Sequence, residues 1–436
     1  MSWEGIDSIV AGKINEWNFP RGGGAIRILL ANNRYFPSGG PERYLFAVEA
    51  GLRRAGHEVF PFALAYPQNE PAETRAYFPP PPVEGDFLLY GDRALSLGEK
   101  LSLAWRVVND RAVYRAAREA LRALRIDVVY ALQIAHYLFP EVLLAARDEN
   151  IPVVMRLSDY QLVCPAYNCL RDEKPCFLCR DGFLPALTHR CLKKSLPITA
   201  VRVAAMLRAR WTGALDAVRY FIAPSRFLIG LLRQAGFAPH RLLHLPTPID
   251  LPPDPGPAHS DAPLLYVGGL YEAKGAHLAI EALRGTGRAL LIAGDTNTPY
   301  GRRLAEKVEQ ERISEVRFLG FVRGEALARL YAAAQAVIVP SIWWENVPHV
   351  ALEAMAYRRP VIAGDLGSLP EVIAHGETGL LFAPGDPQAL RARVEELARS
   401  GLVERYGDAG RARVAAGHDP QRHRQRLEEI FAECRR

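Results

Sequence analysis

The sequence predicts an α/β protein made of two doubly wound, Rossmann-like domains facing a central cleft. Three observations predict it. Short apolar runs of strand character alternate with stretches of helical periodicity, the pattern of parallel strands covered on both faces. At 436 residues the chain exceeds what one ordinary core accommodates. The alternation is interrupted by a Pro-dense stretch, Pro246 to Pro263, whose composition marks a domain boundary.

The expected organisation is an N-terminal extension (1–24), a first domain (25–247) with a Cys-rich insertion (164–191), and a linker (248–263). A second domain (264–418) and a C-terminal helix (419–436) that crosses back onto the first domain complete it. In the first domain, Ile26 to Ala31 (IRILLA) is a buried-strand run. It enters a polar loop containing Gly39-Gly40, then a helix from Glu42 to Ala55 stopped by Gly56, then a strand from His57 to Phe62. Strand, glycine loop and helix form a phosphate-friendly layout, although two glycines without that context are more simply a tight turn. Ala65 to Gly91 is a Pro-rich excursion. Leu101 to Arg125 reads as one long helix, followed by a strand (Ile126 to Tyr130), a loop with His136, a helix (Pro140 to Arg147) and a strand (Val153 to Leu157). In the second domain a strand at Leu264 to Gly268 leads into a loop carrying Lys274. Further strands are expected at Ala289 to Ala293, Val316 to Leu319, Ala336 to Val339, Val361 to Ala363 and Leu380 to Phe382.

The chemistry concentrates in Val337 to Ala356. A β-branched strand closed by Pro340 leads through a loop into a helix that Asn346 can cap, with Pro348 in its first turn. Such a helix start offers backbone N–H groups and partial positive charge to an anion. Glu345 stands just before the helix and Glu353 two turns inside it, on the face of Val350.

Composition bounds the function. Hydrophobic content of 49% and charged content of 23% are those of a soluble globular protein. No apolar run is long enough to span a bilayer, and no secretory h-region is visible, so a cytoplasmic location is expected. A net charge of +6 and a pI near 9.0 suit an acidic partner. Helix-turn-helix, zinc-finger and RNP signatures are missing, so no nucleic-acid partner is expected. From Arg190 to Arg241 ten positive residues face Asp216 alone, with Leu196, Val203, Met206, Leu207 and Trp211 interleaved. That pattern predicts a basic amphipathic helix able to lie on anionic lipid, at the inner membrane face. Cys164, Cys176, Cys179 and Cys191, with Cys169 as an alternate, are the ligand types of a structural zinc site; free thiols are the other reading.

The residues resemble glycosyltransferase family 4, the retaining GT-B enzymes that use nucleotide sugars, from about Ile26 to Leu397. The matching stretches are ENVPHVALEAMA (Glu345 to Ala356), VGGLYEAKG (Val267 to Gly275) and GETGLL (Gly376 to Leu381) after Pro370-Glu371-Val372. Gly39-Gly40 with Glu42, Ala223-Pro224-Ser225 and FLGFV (Phe318 to Val322) also fit. The chain departs at Gly269, where the family usually carries Arg. It departs again at Ser158-Asp159-Tyr160, where a branch with a similar Cys insertion has His-Asp-Tyr.

The resemblance implies a GT-B fold and transfer from a nucleotide sugar, with retention, to a glycan or lipid-linked acceptor, without a required cofactor. It implies donor contacts from Gly39, Gly40, Lys274, Val322, Glu345, Asn346, Val347, Pro348, His349, Val350 and Glu353. Of these, Lys274 meets the diphosphate, Glu353 the ribose hydroxyls and Glu345 the donor sugar. His136 matches the family's N-domain histidine and joins Glu345 and Lys274 as a catalytic candidate. The rival readings are a nucleotide-sugar epimerase and a non-catalytic binding module.

Overall fold

The computed structural model describes residues 24–82, 96–135, 137–399 and 401–435. His136 and nearly all of the expected N-terminal extension lie outside them.

Two six-stranded parallel sheets organise the chain. The first contains β1 (Arg27–Ala31), β2 (Glu58–Phe62), β3 (Val128–Ala131) and β4 (Val153–Arg156). A two-stranded hairpin, β5 (Leu170–Arg171) with β6 (Lys174–Pro175), stands apart in the Cys-rich stretch. The first sheet is completed by β7 (Val218–Ala223) and β8 (Leu242–His244), in the order β2-β1-β3-β4-β7-β8. The second sheet holds β9 (Leu264–Val267), β10 (Leu290–Ala293), β11 (Val316–Gly320), β12 (Ala336–Val339), β13 (Val361–Gly364) and β14 (Gly379–Phe382). Its order is β11-β10-β9-β12-β13-β14.

Both faces of each sheet are buried, which explains why the strands are continuously apolar. Along β1, Leu29 and Ala31 enter one core cluster while Ile28 and Leu30 enter another. In β9, Leu264 and Tyr266 go one way and Leu265 the other. In both sheets the chain order reverses beside the first strand, between β1 and β3 and between β9 and β12. The crevice beyond the strand ends at such a reversal is where doubly wound sheets bind ligands.

The long helix expected at Leu101 to Arg125 is two helices, Leu97–Val108 and Arg111–Ala123. The break falls at Asn109-Asp110, because the Asp110 carboxylate accepts the backbone N–H groups of Ala112 and Val113 and so starts a new helix. The final helix, Pro420–Cys434, packs Leu427, Ile430 and Phe431 into the core beside Ile28 and Leu30. It therefore fastens the end of the chain to the first sheet. His423 on that helix bridges Tyr44 (2.9 Å) and the Pro246 carbonyl (2.8 Å).

Candidate active site between the two sheets

Lys274 and Glu345 follow adjacent strands, β9 and β12, and meet at the end of the second sheet. Lys274 Nζ lies 2.6 Å from Glu345 Oε1. The same oxygen accepts Ser341 Oγ at 2.6 Å and Trp343 Nε1 at 2.8 Å. Burial alone would raise the Glu345 carboxyl, but the Lys274 ammonium and these hydrogen bonds outweigh it and hold the pKa below the usual carboxylate range. Burial works against the Lys274 charge in the same way; Glu345 and the Tyr271 phenol overcome it and raise that pKa. The pair is therefore fully ionised at neutral pH. Lys274 also sits 5.0 Å from the Trp343 ring centroid, a favourable place for a cation.

Gly275 makes this position of Lys274 possible. Its φ of +69° lies in the left-handed region, and a Cβ there would stand 1.9 Å from the Pro340 carbonyl oxygen. Only glycine lets the loop after β9 pass that close to the end of β12.

Lys274, Glu345, Val347, Pro348, His349 and Val350 share the wall of one cavity of about 200 Å³. The helix beyond it spans His349–Ala356, with Pro348 at its N-cap and no side chain capping it. Asn346 is thus not the cap that the sequence suggested. It turns to the first domain instead, donating from Nδ2 to the Leu157 carbonyl (3.0 Å) and accepting from Ser225 Oγ (3.1 Å). Tyr160 donates to the Trp344 carbonyl at 3.1 Å, and Glu371 accepts the backbone N–H groups of Arg226 and Phe227. One loop therefore forms both the cavity wall and the contact between the halves. That second role decides where Asn346 points.

The glycine loop faces the same helix start: a Cβ on Gly40 would lie 3.4 Å from His349 Cδ2. Gly39 is the N-cap of the Gly40–Arg54 helix. His349 is pushed down to about 4 by burial and by the Arg156 and Arg43 charges, so its imidazole is neutral. Glu353, farther along the helix and less buried than Glu345, is already engaged, accepting Arg43 Nη1 at 2.9 Å and Tyr331 Oη at 2.7 Å. Val322 packs with the Tyr331 cluster. Neither Glu353 nor Val322 lines the cavity.

Several participants were not picked out from the sequence. Ser341 and Trp343 had a usable signal, being polar-capable residues four and two positions before Glu345. Arg43 lies in the first turn after Gly39-Gly40. Tyr331 and Tyr271 carried no local signal. Tyr271 explains the departure at Gly269: a Cβ there would stand 2.7 Å from Tyr271 Cε1, so the tyrosine ring fills the space a side chain would need. At the other departure, Ser158 Oγ accepts Arg156 Nη1 (3.1 Å), and Asp159 accepts Gln133 Nε2 (2.7 Å).

In the Cys-rich stretch, Cys164, Cys176, Cys179 and Cys191 line one small cavity, with Cys169 buried beside them, all as free thiols. Among the described residues no three His, Cys, Asp or Glu side chains are gathered tightly enough to hold a metal ion. The zinc expectation therefore rests on ligand type and not on this geometry.

Two facing Rossmann-like sheets with a charged, helix-headed crevice between them define a GT-B protein. Two family models match consecutively, "Glycosyltransferase Family 4" over residues 38–252 and "Glycosyl transferases group 1" over 251–413. The chain belongs to the family 4 glycosyltransferases. It is 35% identical over 173 residues to a glycogen synthase of Mycobacterium tuberculosis, a match covering 38% of this chain and 41% of that protein. It is 32% identical over 129 residues to the D-rhamnosyltransferase WbpZ of Pseudomonas aeruginosa, covering 29% and 33%. The matched stretches thus span less than half of these relatives. Solved structures share the fold along nearly the whole chain. A sucrose-phosphate synthase from Thermosynechococcus elongatus aligns with a TM-score of 0.65 at 18% identity, over 94% of this chain and 98% of its own. Anabaena HepE in complex with UDP-glucose aligns with a TM-score of 0.62 at 17% identity, over 93% and 100%.

Proposed function

We propose that this protein transfers a sugar, with retention, from a nucleoside-diphosphate sugar to a glycan or lipid-linked acceptor. The observation that carries the reading is the Lys274–Glu345 pair beside an uncapped helix start at the chain reversal of the second sheet. Transfer breaks the bond between the anomeric carbon and a phosphate oxygen and forms one to the acceptor hydroxyl oxygen. The acceptor proton leaves with the departing phosphate, and a nucleoside diphosphate is released. The barrier falls when negative charge growing on that phosphate meets fixed positive groups. Lys274 supplies a full charge, the His349–Ala356 helix supplies N–H groups, and Gly40 lets the opposite loop approach. A cavity of about 200 Å³ is below the roughly 300–1,000 Å³ of a typical ligand pocket; it suits the sugar and diphosphate end of the donor and leaves the nucleoside to the rim. The engaged state of Glu353 fits that division: outside the cavity, its carboxylate could exchange Arg43 for ribose hydroxyls while keeping Tyr331. Relatives and neighbours named for glycosyl transfer, and one neighbour holding UDP-glucose, support the reading.

The test combines a thermal-shift panel of nucleotide sugars with a transfer assay on the stabilising donor. Stabilisation by one donor, followed by release of nucleoside diphosphate that depends on acceptor, is the expected result. Donor conversion without acceptor would indicate an epimerase, and stabilisation without any turnover a binding module.

A further inference from the structure

Of the twelve large hydrophobic residues that stand exposed among those described, nine fall between Leu97 and Trp211 in the first domain. The Leu97–Val108 helix buries only Val107 among its own residues. Its Leu97, Leu101 and Trp105, spaced four apart and so on one stripe, are 75%, 64% and 62% exposed. This helix packs against the Leu196–Trp211 helix, where Leu196 and Ile198 are also exposed. Between the two runs a groove of about 580 Å³. Leu103, Val107, Ile198 and Val201 give it apolar walls. The titratable side chains lining it besides Tyr167 and Cys191 are Lys100, Lys193 and Arg202, with no carboxylate among them.

Only the first part of the basic stripe expected from Arg190 to Arg241 makes this face positive. Arg202 is buried, Arg208 is bound to Glu141 at 2.6 Å, and Arg241 donates to the Leu215 and Val218 carbonyls. Those arginines hold the domain together. The exposed cations here are Lys100 and Lys193, which line the groove, and Arg190 and Lys194, close to Lys193 in the chain.

We propose that this face docks on an anionic phospholipid bilayer. The Leu97, Leu101 and Trp105 stripe enters the headgroup boundary, and Lys100, Lys193 and Lys194 meet lipid phosphates. Apolar side chains that protrude singly suit insertion among acyl chains, and a tryptophan beside lysines is the usual composition at that depth. A second copy is a poor occupant, since a two-fold pairing of this face would set one cluster of lysines against another. The proposal needs no turnover, so its failure would leave the transferase reading standing, and the reverse also holds.

The experiment is flotation of the full chain with vesicles of phosphatidylcholine, with and without phosphatidylglycerol, at low and high salt. The wild type should float with the anionic vesicles at low salt and much less with the neutral ones. Leu101→Glu/Trp105→Glu and Lys193→Glu/Lys194→Glu should each weaken binding about tenfold or more, while melting temperature and nucleotide response stay at wild-type values. Should the Leu101/Trp105 variant fold poorly, Trp105→Ser is the milder substitute. No flotation of the wild type, equal flotation on neutral vesicles, or undiminished binding by both variants would each overturn the proposal. So would a lipid-free dimer abolished by the Trp105 substitution, since it would assign this face to a second copy.

Discussion

The two halves of the molecule share an architecture and differ in how their surfaces are spent. In the second half, the chemistry converges: Lys274, Ser341, Trp343 and Glu345 meet at one carboxylate oxygen, all within loops that leave neighbouring strands. In the first half the corresponding strand ends carry a glycine loop and hydrogen-bonded residues such as Asp159. The exposed apolar residues lie off to one side, on the paired helices. The difference teaches that the second half carries an electrostatic device set by strand order, where the proposed function puts the donor. The first half, where that reading puts the acceptor, spends its exposed surface on apolar residues instead.

Substitutions can break this contrast. Gly275→Ala should do the most damage, because its Cβ would overlap the Pro340 carbonyl and the residue would be strained at positive φ. The expected cost is about 3 kcal/mol or more, read as a lower melting temperature with loss of donor binding. Lys274→Ala should lower turnover by about 10²–10³-fold. It also strands a buried carboxylate, at a cost of about 3 kcal/mol. Adding Glu345→Gln should recover much of that stability and none of the activity, which separates the two roles of the lysine.

Acid should loosen the attachment of the final helix to the first domain before it affects the ion pair. His423 is held neutral, its pKa pushed down by burial, then by Arg156, to about 3. Its Nδ1–H donates to the Pro246 carbonyl, so Nε2 accepts from Tyr44, an arrangement that a protonated ring would break. With the folded value below the ordinary 6.5, the unfolded chain binds the extra proton. Stability is full above pH 6.5 and is lost as pH falls towards 3, by about 2 kcal/mol at pH 5. His423→Phe should flatten that slope in melting curves between pH 7 and 5. Protonation of Glu345, whose pKa is lowered, weakens the fold only at more acid pH. The smallest effect is expected of Arg43→Ala. Its side chain is 56% exposed, so the pair with Glu353 contributes at most about 1 kcal/mol. A change of a few-fold in donor KM with little change in kcat is the expected readout.

The sequence displayed the Lys274–Glu345 site well because its signals are local. A β-branched run, a Pro stop and an acid before a helix already state that Glu345 stands at a strand end, and Lys274-Gly275 says the same for the preceding strand. Where the outcome depended on the other half of the chain, local signals misled. Asn346 has the side chain of a cap, but Leu157 and Ser225 draw it away. The arginines after Arg190 look like one solvated stripe until Glu141 and the Leu215 and Val218 carbonyls take their places beside them. Asp110 did carry a legible capping signal, hidden by the helical periodicity on either side.

Calorimetric titration of UDP and the other nucleoside diphosphates into the wild type and Lys274→Ala tests the central claim most directly. One diphosphate should bind the wild type at micromolar affinity, its monophosphate far more weakly, and the variant should lose most of the difference between the two. Equal preference for diphosphate over monophosphate in the variant would show that Lys274 does not hold the leaving group, and the account of this site would be wrong.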